Sequence, residues 1–128
     1  MNLKEYFETT EGLGVLSTAD KQGFVDSAVY SRPHVMEDGL VAFIMADRLS
    51  HKNLTSNPRA SYLFVEQGPG YVGKRLMLKK TTEEHDPDLI QSLRRRQYPR
   101  KKEQSMKPLH LVYFKVENIL PLVGAGTN

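Results

Sequence analysis

Ser50, His51 and Lys52 place a hydroxyl, an imidazole and an amine on three successive residues, with Arg48 two positions earlier. They follow an apolar run, Phe43-Ile44-Met45-Ala46, and a polar step, Asp47-Arg48, and they open a segment of helical character over residues 50–56. The first turn of a helix leaves backbone N–H groups without intrahelical acceptors. A helix start, a hydroxyl and nearby cations together make a common cradle for a phosphate or carboxylate. A plainer reading has Ser50 capping the helix while Arg48 and Lys52 are solvated. Another cation, Arg32, stands just before Pro33 at the end of a strand-like segment. It reads either as a further anion contact or as an exposed residue of an edge strand.

Other chemistry-bearing residues are more scattered. His34, His51, His85 and His110 lie far apart, with no HExxH or other paired ligand spacing, so no metal site is expected. Thiol catalysis, disulfides and cysteine zinc sites are excluded by the absence of cysteine. Gly68-Pro69-Gly70-Tyr71-Val72-Gly73-Lys74 lacks the spacing and closing Ser or Thr of a P-loop and reads as a structural turn. Tyr71 on that turn is available to cover a bound ring or a partner's edge.

Arg94, Arg95, Arg96, Arg100, Lys101 and Lys102 gather positive charge with no acid between them. Without them the net charge of +3 would fall to about −3, so the basic character is local. Three readings stand: a helix C-terminus with a solvated loop, a patch for the phosphates of a nicotinamide nucleotide or another acidic ligand, and a nucleic-acid surface. The last has only Tyr98 as an aromatic platform and no surrounding recognition motif, so no nucleic-acid partner is expected.

The elements that must position these residues are mostly strands. An opening helix spans residues 2–11, with Asn2 as N-cap, Glu5 three positions on, and Gly12 as terminator. Residues 14–19 and 24–33 flank Asp20-Lys21-Gln22-Gly23 as a β-hairpin. Its second strand alternates Val25, Ser27, Val29 and Ser31 with Asp26, Ala28, Tyr30 and Arg32. After a turn at Glu37-Asp38-Gly39, residues 40–45 are too apolar for a strand wetted on one face. Asn57-Pro58 closes the short helix that follows.

Residues 60–65 form a strand, and residues 71–84 a long strand or pair of strands. Asp86-Pro87-Asp88 starts a helix with a capping acid and a proline at its first position. That helix is expected to end near Gln97 to Tyr98, before Pro99. A final strand covers residues 109–116. Turn-joined strands imply a largely antiparallel, mainly β (α+β) domain, and closure into a small barrel with peripheral helices removes exposed edges.

The 128 residues, 39% hydrophobic and 26% charged, suit a single soluble domain over residues 1–128. No apolar run approaches the roughly 18 residues of a membrane span. The start, Met1-Asn2-Leu3-Lys4-Glu5, has no signal-peptide character, so a cytoplasmic protein without membrane partners is expected. Residues 124–128 read as a frayed end.

The Leu16-Ser17-Thr18 hairpin with its Gln22-Gly23 turn, the apolar strand after it, and Ser50-His51-Lys52-Asn53-Leu54-Thr55-Ser56-Asn57-Pro58-Arg59-Ala60 leading into Tyr62-Leu63-Phe64-Val65-Glu66 resemble one family. They are similar to the pyridoxamine 5′-phosphate oxidase-like, FMN-binding split-barrel proteins, over residues 12–80 and more loosely to the last strand. The resemblance implies a six-stranded antiparallel Greek-key split barrel, a homodimer, and FMN in a groove at the subunit interface. It implies Lys52 as the phosphate lysine, aided by Ser50 and His51, and Arg32 as a second phosphate contact. Ile44 and Met45 would lie beside the isoalloxazine, and Asp47 and Arg48 would line the turn.

Family members that oxidise pyridoxamine phosphate grip it with arginine and histidine in a C-terminal segment. The tail Ile119-Leu120-Pro121-Leu122-Val123-Gly124 has neither, so that reaction is not expected here. A flavin-dependent oxidoreductase or electron carrier using a nicotinamide nucleotide or another small molecule is the leading expectation, with no side chain assigned as general acid or base. The alternatives are a haem-binding or haem-degrading barrel and a flavin-binding sensor without turnover.

Overall fold

The computed structural model describes residues 2–94 and 109–124. Three helices and seven strands follow in the order α1 (Leu3–Thr9), β1 (Gly12–Ala19), β2 (Val25–Val29), β3 (His34–Val35), β4 (Val41–Ala46), α2 (Leu49–Ser56), β5 (Arg59–Glu66), β6 (Gly73–Glu84), α3 (Pro87–Leu93) and β7 (Leu109–Pro121). All strand pairs are antiparallel, and the strands lie in the order β2-β1-β5-β6-β7-β4-β3. The mainly β split-barrel expectation holds, and the two-residue β3 makes seven strands where six were expected.

Local chemistry sets most of the boundaries. The Asn2 side chain accepts from the Glu5 amide at 3.1 Å and caps α1. Helix α1 stops at Thr9, and Gly12 opens β1 instead of terminating the helix. In the β1–β2 turn, Asp20 Oδ1 accepts from the amides of Gln22 and Phe24, while Gly23 takes φ +94°, which favours glycine. Asp86 caps α3 through the Asp88 amide, with Pro87 at the first turn.

Helix α3 ends at Leu93, well short of the expected Gln97 to Tyr98, because Arg94 turns extended at ψ 135°. Of the basic cluster, only Arg94 is among the described residues. Arg95, Arg96, Arg100, Lys101 and Lys102 lie outside them.

Strand alternation divides the interior into two layers. Leu16, Val41, Phe43, Met45, Tyr62, Phe64, Leu76, Leu78, Val112 and Phe114 point inward and meet Phe7 of α1 and Leu54 of α2. The rings pack mainly edge to face, as Phe43 and Phe114 do at 5.8 Å. On the outer side of β4 and β7, α3 buries Ile90 against Ala42 and Leu111. This second layer explains why β4 is apolar on both faces.

Among the described residues no ladder joins β2 to β3, and α2 lies beside that split, against β1, β2 and β4. Its anchors are polar: buried Asn53 donates to Thr18 Oγ1 at 3.0 Å, and Asn57 donates to the Asp20 carbonyl at 3.4 Å. Leu54 enters the core between them.

Candidate functional site

A cavity of about 530 Å³ opens where β2, the end of β4 and the first turn of α2 meet. Ile44, Ala46, Leu49 and Leu109 give it an apolar wall, whereas Arg32, Arg48 and Arg94 line it, among the described residues, against a single acid, Asp26. Its size lies within the range of small-molecule sites. The N-cap of α2 is Arg48, whose side chain makes no capping hydrogen bond. The first amide of α2 to close an intrahelical bond is that of Lys52, on the Arg48 carbonyl. The three earlier amides precede the helical ladder, at the end where the dipole favours an anion.

Several polar groups at the cavity are already organised. Arg32 donates from Nη1 to the carbonyls of Phe7 at 3.0 Å and Thr10 at 2.9 Å, which fixes its guanidinium over the end of α1. Tyr30 lines the same wall. Burial pushes its phenol pKa up, a hydrogen bond with Ser50 pulls it down, and the charges of Asp26 and Arg48 act in opposite senses. Sequence reasoning passed over Tyr30 and Asp26, although the β2 alternation put both on one face with Arg32.

Of the expected cofactor residues, the cavity therefore gathers Arg32, Ile44, Arg48 and Ser50. It does not gather Met45, Asp47, His51 or Lys52. Met45 is fully buried, because β4 alternation sends it into the core while Ile44 faces out. Lys52 is exposed on α2, and helical geometry turns it away from the face that Ser50 presents. Ser50 does not cap the helix, since Arg48 occupies that position.

Asp47 and His51 belong to a different constellation. His51 stacks on His110 with ring centroids 3.8 Å apart and planes 7° from parallel. Nε2 of His51 lies 3.0 Å from Glu83 Oε2, and Nδ1 lies 3.5 Å from Asp47 Oδ1. His85 and Lys80 close on Glu83 at 2.7 and 2.8 Å. Burial would raise the Glu83 pKa, but hydrogen bonds from Lys80, His51 and His85 outweigh it and hold the carboxyl at about 2. Burial, then the His51 charge, lowers the His110 pKa. The sequence expectation of scattered histidines fails here because β7 lies between β6 and β4. His110 thereby comes beside Glu83 from one neighbour and Asp47, just past the end of the other.

Comparison with known structures establishes the fold. The chain is similar to an FMN-binding protein from Syntrophomonas wolfei subsp. wolfei, with a TM-score of 0.73, 18% identity, and 95% of this chain covered against 84% of that one. It is similar to an F420 reductase at a TM-score of 0.71 and 11% identity, covering 93% and 97%. It is also similar to HupZ of Group A Streptococcus at 0.68 and 16% identity, covering 98% and 96%. No curated protein matches the sequence. A family model, described as pyridoxamine 5′-phosphate oxidase, matches residues 3–122, and over that nearly complete span the chain belongs to this family.

Proposed function

We propose that the protein is a cytoplasmic homodimeric flavoprotein that binds FMN in the cavity between β2, β4 and α2 and acts as a flavin-dependent oxidoreductase or electron carrier. One observation carries this reading: the cavity joins an apolar wall to an arginine-lined end at an uncapped helix start. A ligand with a planar apolar ring and a phosphate needs both. Arg48, Ser50 and the first amides of α2 would hold the phosphate. Arg32 stands ready at the rim, and Ile44 and Leu109 would flank the ring. Bound FMN supplies hydride acceptance and electron transfer. The residues of this chain bind it, orient it and keep water from one face.

A second copy completes the enclosure in this reading. Phe24, Val25 and Val29 are 71%, 80% and 70% exposed, on and just before the edge strand β2, and Val29 also lines the cavity. Apolar residues on a free sheet edge favour pairing with another chain. The likeness to an FMN-binding protein and to an F420 reductase supports a flavin-class ligand.

The test is the absorption spectrum of the purified protein after incubation with FMN and desalting, followed by NADH and NADPH. A retained flavin band that bleaches with either nucleotide supports binding and turnover together. Retention without bleaching leaves a flavin-binding protein that takes electrons from another donor or serves as a sensor. No retention overturns the site.

A further inference from the structure

We propose that Asp47, His51 and His110 form a binding site for a divalent transition cation of the zinc class, with Glu83 orienting the His51 imidazole. None of these four residues lines the cavity, although Asp47, His51 and His110 each adjoin in the chain a residue that does. Nδ1 of His51 and Nε2 of His110 face the same carboxylate oxygen, Asp47 Oδ1, at 3.5 and 3.9 Å. Ligands about 2.1 Å from a tetrahedral ion are ~3.4 Å from one another, so the spacing to Asp47 is close to that of a shared ion. The two rings, now parallel, must tilt toward each other for both lone pairs to reach it.

The opposite ring nitrogens both turn toward Glu83, His51 Nε2 at 3.0 Å and His110 Nδ1 at 3.6 Å from Oε2. The carboxylate behind His51 fixes the tautomer that leaves its other nitrogen's lone pair for the metal, whereas His110 Nδ1 lies beyond hydrogen-bond distance. Lys80 holds the second oxygen of Glu83 at 2.8 Å, which favours Glu83 as the orienting group rather than as a ligand.

Both ring nitrogens of His110 are buried with no hydrogen-bond partner among the described residues. An ion held by Asp47 and one nitrogen of each ring would supply that partner. Asp47 is 65% exposed, so the site is reached from solvent at that ligand.

The experiment uses the full chain, chelator-treated and free of FMN, titrated with Zn²⁺ by calorimetry and with Co²⁺ by visible absorption. One equivalent is expected to bind with a Kd of roughly micromolar or below. Asp47→Ala, at an exposed position that spares the fold, is expected to weaken Zn²⁺ at least tenfold. His85→Ala, which touches Glu83 but supplies no ligand in this set, is expected to change it less than threefold. No stoichiometric binding overturns the proposal. Loss of binding in His85→Ala with retention in Asp47→Ala also overturns it, and places the ion on Glu83, His85 and His110. Equal losses in both variants overturn the three-ligand assignment.

Discussion

Arg48 lines the cavity from the N-cap position of α2 while its side chain leaves the cap unfilled, so its charge and the first amides of the helix address the same space. Lys52, one helical turn later, is exposed to solvent. Arg48→Ala is therefore expected to weaken FMN at least tenfold, as the loss of a charge-assisted contact worth about 1.5–3 kcal/mol requires. Lys52→Ala is expected to stay within threefold. Quenching of flavin fluorescence on titration measures both, and a larger effect at Lys52 would move the phosphate to the solvent side of α2. The family resemblance, not residue type, offered Ile44; residue types made Ser50, Arg48 and Arg32 legible as candidates for the cavity. They could not separate Lys52 from Arg48, because choosing between them requires the helix phase, and the helix starts at Leu49 rather than Ser50. The histidine cluster was illegible for a different reason. A bulge in β6 between Lys80 and Thr82 breaks simple alternation and turns Glu83, not Glu84, toward the side of Lys80.

At the scale of elements, the Asn53-Leu54 and Asn57 positions that carry the family resemblance serve to position α2. Asn53 on Thr18, Leu54 in the core and Asn57 on the Asp20 carbonyl lock the helix across the split, and its first turn then borders the cavity. A motif can thus resemble a binding motif because it builds the platform on which the binding residues stand. Strand β1 supports the same end of the barrel through a close approach. A methyl group at Gly14 would overlap the Tyr62 hydroxyl and crowd the Tyr30 carbonyl, to which that hydroxyl donates at 3.2 Å. Gly14→Ala is expected to cost about 2–3 kcal/mol through overpacking, read as a lower urea midpoint. Gly23→Ala meets open space and carries only the strain of its positive φ, about 1 kcal/mol. The turns, the N-caps of α1 and α3 and the strand order of hydrophobicity were legible because each is a local signal. The short β3, the early end of α3 and the extension of β7 to Pro121 were not, since tertiary pairing decides them.

For the whole molecule, the valines of β2 and the acid–histidine end of the barrel make separate demands. If a second copy covers β2, Val25→Asp combined with Val29→Asp yields a monomer by light scattering and weakens FMN retention; a dimer unchanged by both would place the interface elsewhere. The acid–histidine cluster sets the response to acid in chelator-treated protein. The Glu83 carboxyl is depressed from 4.5 to about 2 on folding, so the unfolded chain binds its proton first as pH falls. Its stabilising contribution is complete above about pH 4.5 and is lost progressively toward pH 2. The His110 pKa is also depressed, from 6.5, so protonation of the unfolded chain begins to favour unfolding below that value. Both groups act in the same direction, and stability is expected to decline on acidification in two stages, the first starting near pH 6.5 and the second near 4.5. Urea midpoints measured across pH 3–7 follow the decline. Glu83→Gln keeps the shape but cannot ionise, so it should be less stable at pH 7 and should flatten the lower stage. An unchanged lower stage in that variant would assign the acid response to other carboxylates.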